Sequence, residues 1–257
     1  MMLKDDYQMF TVMIKDKTGI DLNQYKEAQM KRRLLSLREK RGFATFSDYG
    51  KEMGLQNDLF EEFLDRMTIN VSEFYRNPER WDVLKNKILP VIKEKKNVLK
   101  IWSAACSTGE EPYTLSMMMK ETRTKARITA TDIDDTILKR AKRGAYPERS
   151  LKELPLEWKD RYFQKDGPGY EIDQKVKTAV SFNKHNLLKD AYPKEMDLIV
   201  CRNVLIYFTE EAKQSIYKRL ADSLVSSGIL FVGSTEQIFN PSKYGFEAED
   251  TFFYRKQ

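Results

Sequence analysis

The chain has 257 residues, a mass of 30.3 kDa, 41% hydrophobic and 33% charged residues, which fits one or two folded domains and excludes a disordered chain. No apolar run approaches the ~18 residues of a membrane span, and the start Met1–Asp6 carries no apolar signal region, so secretion and direct membrane insertion are not expected. Two cysteines (Cys106, Cys201) and one histidine (His185) argue against a disulfide scaffold and a His-ligated metal site, and the net charge of +6 permits an anionic partner.

In chain order, residues 1–75 read as helical. Within them, residues 26–41 hold seven basic and two acidic residues. The spacing predicts a helix there that ends before Gly42, with Met30, Leu34 and Leu37 as its buried stripe. Lys31 and Arg38 line one flank of this helix, and Lys26, Arg33 and Lys40 the other. The basic face is either simply solvated or a docking surface for an acidic partner, and charge alone does not choose. Helices follow at 47–55 and 58–69, and another at 81–95 with Pro90 as a kink. From Asn97 short apolar runs alternate with amphipathic helices. Strands are expected at 98–102, 128–131, 180–182, 198–201 and 229–232, and helices at 110–120, 135–143 and 209–226. Thr209 serves as N-cap of the last helix and Gly228 follows its end. This alternation implies a mostly parallel sheet covered on both faces. Residues 144–182 interrupt it with a hairpin around Gly167-Pro168-Gly169 and form a small β-subdomain.

Five segments carry candidate chemistry. Residues 99–113 form a strand, a loop of small residues (Ser103-Ala104-Ala105-Cys106-Ser107-Thr108-Gly109) and a helix start, where backbone amides can meet a ligand. Only Gly109 of a dinucleotide fingerprint is present, and a tight turn without ligand is the alternative. Asp132, 23 residues after Gly109 at the end of the next strand, can accept both hydroxyls of a ribose or be an ordinary strand-end residue. Asn186, beside Leu187, can meet an adenine edge or form an Asx turn. In Asp197–Phe208 a strand runs into Arg202 and Asn203, a costly placement unless the arginine is paired or faces a cleft; Tyr207 follows, either near the site or as a core aromatic. Thr68–Asn77 is an interdomain linker or a segment that sends Asn70, Ser72 and Arg76 into a cleft.

Together these motifs resemble the CheR-type chemotaxis receptor glutamate methyltransferases. The carriers are Ile101–Tyr113, Cys201–Phe208 and Thr68–Arg76, in register along nearly the whole chain. The resemblance implies an α/β fold: a Rossmann-like S-adenosylmethionine-dependent methyltransferase domain with a small helical N-terminal domain and an inserted antiparallel β-subdomain. The division implied is 1–75, a receptor-docking domain, and 76–257, the methyltransferase domain, with the β-subdomain at about 145–182. It implies methyl transfer from S-adenosylmethionine to receptor glutamates, leaving S-adenosylhomocysteine, and no metal. By motif match Asn70, Ser72, Arg76, Glu111, Asp132, Asn186, Leu187, Cys201, Arg202 and Asn203 would line the cofactor site. Arg76, Arg202 and Tyr207 would lie closest to the reacting centre. Lys31, Arg32, Arg33 and Arg38 would dock on the cytoplasmic helical bundle of the receptor. The protein would be a cytoplasmic monomer recruited to membrane-bound receptor arrays. In some family members the β-subdomain binds a receptor-tail pentapeptide by strand addition, and the reading here favours a member without that tether.

Two other readings compete. A nucleic-acid methyltransferase fits the basic charge, but amino-methylating DNA enzymes place an Asn/Asp-Pro-Pro-aromatic motif where Cys201-Arg202-Asn203-Val204 stands. The basic helix is also balanced by acids nearby, so no nucleic-acid partner is expected. A non-enzymatic cofactor-binding adaptor is the second.

Overall fold

The computed structural model describes residues 2–68, 72–94 and 96–257. Contacts divide the chain into two compact units: residues 1–70 with 206–215, and residues 71–205 with 216–257.

Among the described residues, the first unit includes the helices α1 (Met2–Thr18), α2 (Glu27–Lys40), α3 (Phe46–Met53) and α4 (Asn57–Thr68). The expected stripe of α2, Met30, Leu34 and Leu37, is buried, as are Phe10, Ile14, Phe46, Tyr49 and Phe63. Helix α2 ends as its sequence requires. Gly42 takes φ +78°, its N–H donates to Glu39 O, and Phe43 N–H reaches back to Arg38 O. Those two bonds satisfy carbonyls that a helix end otherwise leaves open. The start of α3 is closed by Thr45, which accepts from Asp48 N, and by the Asp6 carboxylate, which accepts from Phe46 N and Ser47 N. Residues 206–215 join this unit through main-chain bonds: Lys26 N donates to Tyr207 O and Thr209 N to Gln24 O.

Arg38 departs from expectation. It is only 7% exposed, with its guanidinium over the Phe46 ring at 5.0 Å. It therefore cannot present its charge to a partner as a docking residue. The helical flank assigned from α2 alone is covered here by the start of α3.

The second unit begins with α5 (Pro78–Val83), a π-helical turn (Leu84–Ile88) and α6 (Leu89–Glu94). The irregularity lies one turn before Pro90, where Leu89 N–H bonds to Leu84 O. Proline removes its own N–H and crowds the carbonyl four residues back, so the helix widens there. Then follow β1 (Leu99–Ala104), α7 (Glu110–Glu121), β2 (Ala126–Asp132) and α8 (Asp135–Arg143). Asp134 caps α8 and Gly144, at φ +70°, ends it. The insertion holds β3 (Ala145–Pro147), α9 (Leu156–Tyr162), β4 (Phe163–Asp166), β5 (Gly169–Ile172) and α10 (Gln174–Lys177). Its three strands pair antiparallel in the order β3-β5-β4. The chain closes with β6 (Val180–Lys184), β7 (Met196–Cys201), α11 (Glu210–Ser223), β8 (Leu224–Val232), β9 (Phe246–Asp250) and β10 (Phe253–Lys256).

The main sheet has the order β6-β2-β1-β7-β8-β10-β9. The first five strands are parallel and β10 and β9 antiparallel. Strands β1 and β7 are buried almost throughout, as parallel strands covered on both faces must be. Gly228 does not end α11. The helix stops at Ser223, whose hydroxyl bonds to Pro193 O, and Gly228 lies inside β8. Among the described residues, no helix is long and apolar enough to cross a membrane.

Candidate functional site

The strand order reverses between β1 and β7: from β1 the chain builds outward to β2 and β6, then returns to place β7 on the other side. Ligands of doubly wound sheets bind outside the carboxyl ends of the strands at that reversal. Half of the ten described non-glycine residues with positive φ lie in segments around those ends: Tyr75, Asn77, Ala105, Ser107 and Asn203. Backbone strain of this kind persists where surrounding structure enforces it and gathers at functional sites.

The loop after β1 makes a sharp turn through Ala105 (φ +59°), Ser107 (+49°) and Gly109 (+93°). A Cβ on Gly109 would lie 3.0 Å from Ala141 Cβ and 3.2 Å from the Tyr146 hydroxyl, so glycine is needed for space as well as for φ. Asp132, at the end of β2, accepts from Ser107 N at 2.8 Å and Asp134 N at 3.2 Å. Burial nevertheless pushes its carboxyl up to about 6. The Ile133 N–H also favours the ionised form, so of a carboxylate's about four acceptor positions one remains for a ribose hydroxyl. Ser72 bonds to the carboxylate of Glu110, which also accepts from Thr108 Oγ1 at 2.6 Å; burial raises the Glu110 pKa.

At the ends of β1 and β7 stands a second cluster. Arg202 is buried between the rings of Trp81 and Phe231, 5.3 and 4.7 Å from its guanidinium carbon. One Nη donates to Arg76 O at 2.9 Å and to Asn77 Oδ1 at 3.0 Å; the other lies 3.7 Å from Glu111 Oε2. Its Nε is buried without a hydrogen-bond partner. Glu111 accepts from Ser103 Oγ at 2.8 Å. Burial pushes its carboxyl up to about 7 despite the Arg202 charge, and Arg76 lies within electrostatic reach of both. Burial likewise lowers the Arg202 pKa. This is an anion and a cation in one closed place, each short of partners.

The structure thus gathers Arg76, Glu111 and Arg202, and separately Asp132 with the loop 105–109. Asn186 follows β6, the neighbour of β2; its Oδ1 accepts from Leu188 N at 2.9 Å, so it does form the Asx turn. Leu187 is buried, and its carbonyl accepts from Tyr192 Oη and Arg219 Nη1, both at 2.7 Å. The Cys201 thiol is fully buried and its pKa is raised by that burial, which leaves only the main chain to meet a ligand. Asn203 takes φ +59°, and its N–H donates to Glu236 Oε2 at 2.5 Å. Tyr207 groups with the helical unit, its ring under the Arg33 guanidinium at 5.1 Å. Asn70 lies outside the described residues. Lys31 and Arg32 line a groove of about 440 Å³ on α2 with Ala28, Leu35, Ser36 and Glu39. Sequence reasoning missed Asn77 and Glu236, whose roles rest on contacts across about 125 and 33 residues of chain.

S-adenosylmethionine carries a sulfonium and an ammonium cation, a carboxylate and a ribose diol. The donor set fits it. Glu111, a buried carboxyl whose ionised form is penalised by desolvation, suits a cationic group, and the remaining acceptor capacity of Asp132 suits the ribose.

Two family models match the chain: the CheR methyltransferase SAM binding domain over residues 70–253 and the CheR methyltransferase all-alpha domain over residues 5–68. A chemotaxis protein methyltransferase of Listeria monocytogenes is 45% identical over 257 residues, covering 99% of this chain and 98% of its own. One from Borreliella burgdorferi is 35% identical, with 91% and 89% covered. Chemotaxis protein methyltransferase 1 of Pseudomonas aeruginosa is 35% identical, with 93% of each chain covered.

Proposed function

The chain belongs to the CheR methyltransferase family and is a chemotaxis protein methyltransferase that uses S-adenosylmethionine, and from that premise we propose that its substrates are glutamate side chains of chemoreceptors, which it converts to methyl esters. The observation that supports this reading is Arg202, buried at the end of β7 with one edge fixed by Arg76 O and Asn77 and with a buried Nε that has no hydrogen-bond partner. A guanidinium held in this way can take a carboxylate by one oxygen and orient the other.

Bound S-adenosylmethionine supplies an electrophilic methyl group. The substrate glutamate, with an ordinary pKa of ~4.3, is ionised at neutral pH and needs no general base. Arg202 and Arg76 therefore serve to hold and align it. Alignment is the larger contribution, since effective molarities of ~10⁵–10⁸ M correspond to roughly 7–11 kcal/mol. Glu111 holds positive charge beside the reacting centre, and Trp81 and Phe231 exclude water from the guanidinium. Asp132 takes the ribose and the Asn186-Leu187 turn the adenine region.

The docking face on this reading is the α2 groove, with Lys31 and Arg32 as its cations and Ala28 and Leu35 as its apolar floor. Arg33 lies outside the groove with its guanidinium over Tyr207, Lys31 lies over the Tyr7 ring at 5.1 Å, and Arg38 is buried. Recruitment to receptor arrays would then run through the receptor's helical bundle.

The test is mass spectrometry of a receptor cytoplasmic fragment incubated with the protein and S-adenosylmethionine. A mass gain of one methylene, mapped to glutamates, is expected. Modification confined to lysine, arginine or no residue at all contradicts the proposal.

A further inference from the structure

The Glu236 side chain is only 5% exposed, yet it belongs to none of the motifs discussed so far. Its carboxylate receives three main-chain N–H groups. Oε2 accepts from Asn203 N at 2.5 Å and Gly233 N at 2.9 Å, and Oε1 accepts from Leu205 N at 2.6 Å. Two of these donors belong to the turn that follows β7, and the third to the end of β8. Asn203, immediately after Arg202, sits at φ +59°, a conformation that a non-glycine residue keeps only when its surroundings enforce it. Gly233 makes room for the arrangement: a Cβ there would collide with Glu236 Oε2 and lie 2.9 Å from Asn203 N.

We propose that Glu236 is the positioning residue for Arg202, holding the 203–205 turn so that the guanidinium keeps its place between Trp81, Phe231, Asn77 and Glu111. The inference rests on the proposed transfer to a receptor carboxylate and adds how that carboxylate's anchor is fixed. A carboxylate suits the role because all three partners are donors. An amide in its place offers one acceptor oxygen and turns an NH₂ group towards buried N–H groups. The turn then relaxes, and Arg202, one residue away, moves with it. Misplacement of a positioning group by about 1 Å is enough to lower turnover ~10²-fold.

The experiment uses the full chain with Glu236→Gln, alone and combined with Arg202→Lys. Three quantities are read: turnover on a receptor cytoplasmic fragment, the Kd for S-adenosylhomocysteine, and the Nε–H resonance of Arg202 in ¹⁵N-arginine-labelled protein, assigned by its loss in Arg202→Lys. The expected result is a kcat about 10²-fold lower with Kd within about threefold, because the turn acts on Arg202 rather than on the ribose and adenine contacts. In the Arg202→Lys background, Glu236→Gln should add less than about threefold, and the Arg202 resonance should shift or broaden. Turnover within threefold of the parent, equal losses in both backgrounds, or a parallel collapse of kcat and cofactor affinity would each overturn the inference. If the parent transfers no methyl to the receptor, the proposed substrate has failed, and the Arg202 resonance alone then decides: a shift supports the role of Glu236, and no change refutes it. Should Glu236→Gln not fold at the assay temperature, Gly233→Ala, which displaces the same carboxylate, is judged by the same readouts.

Discussion

Replacing Glu111 by glutamine should make the ligand-free protein more stable at alkaline pH while weakening its hold on the cofactor. Burial raises the Glu111 carboxyl from 4.5 to about 7. At ~1.4 kcal/mol per pH unit this amounts to ~3 kcal/mol against the ionised form. The sign follows from linkage. Between 4.5 and 7 the folded protein holds the proton and the unfolded chain releases it, so the contribution to stability is full below 4.5 and is lost as pH rises through 7. Glutamine is neutral throughout and avoids that loss. The variant should therefore exceed the parent by up to ~3 kcal/mol at pH 8 and by less than ~1 kcal/mol at pH 5. For a domain of this size each kcal/mol moves the melting temperature by ~2–4 °C, so the upward shift at pH 8 is at most roughly 6–12 °C. Thermal melts at both pH values measure it, and calorimetry with S-adenosylmethionine at pH 8 should show affinity at least ~10-fold lower, the equivalent of ~1.4 kcal/mol from one charge contact. A variant that melts below the parent at pH 8, or by the same offset at both pH values, would refute the reasoning.

Cofactor affinity of the parent should itself fall as pH drops from 8 to 6, because a protonated Glu111 no longer attracts a cation; titration calorimetry across that range checks this, and a pH-independent Kd contradicts it. Asp132→Asn should raise the cofactor Kd by ~10–100-fold, since the ribose loses a charged acceptor worth ~1.5–3 kcal/mol; an unchanged Kd removes Asp132 from the ribose. Lys31→Glu with Arg32→Glu should weaken receptor association, most at low salt, with cofactor binding unchanged. Arg38→Ala should instead lower the melting temperature and leave receptor affinity of the folded protein intact, as read by thermal melts beside a binding assay.

The features legible in the sequence are those set by neighbours along the chain. Gly42 ends α2 with the left-handed residue and paired back-bonds that its position after a basic last turn implied. Residues 135–143 form α8 because Asp134 and Gly144 punctuate both ends locally. The strands of the parallel sheet announce themselves as short apolar runs. The features that escaped depend on distant partners. Arg38 lies at the edge of a helical wheel drawn for α2 alone; its burial comes from the Phe46 ring on α3. Gly228 looked like a helix stop, yet the chain passes from Ser223 directly into β8, and Ser227 rather than Gly228 has positive φ. The pair β9 and β10 is short, and β9 is rich in acids, so alternation gives it away poorly. Within the site, Arg202 stood out because an arginine after a buried strand demands partners. Asn77, Trp81 and Glu236, which satisfy that demand or hold the turn beside it, show no local pattern.

The central claim is that a carboxylate, held by Arg202 after β7 and by Arg76 before α5, is the group methylated. It is tested most directly by incubating the protein with methyl-labelled S-adenosylmethionine and either a receptor cytoplasmic fragment or total RNA, then treating the products with mild alkali. The account predicts label on the receptor fragment that alkali releases as volatile methanol, the mark of a carboxyl ester, and its loss in Arg202→Ala. Alkali-stable label, or label on RNA, would contradict it.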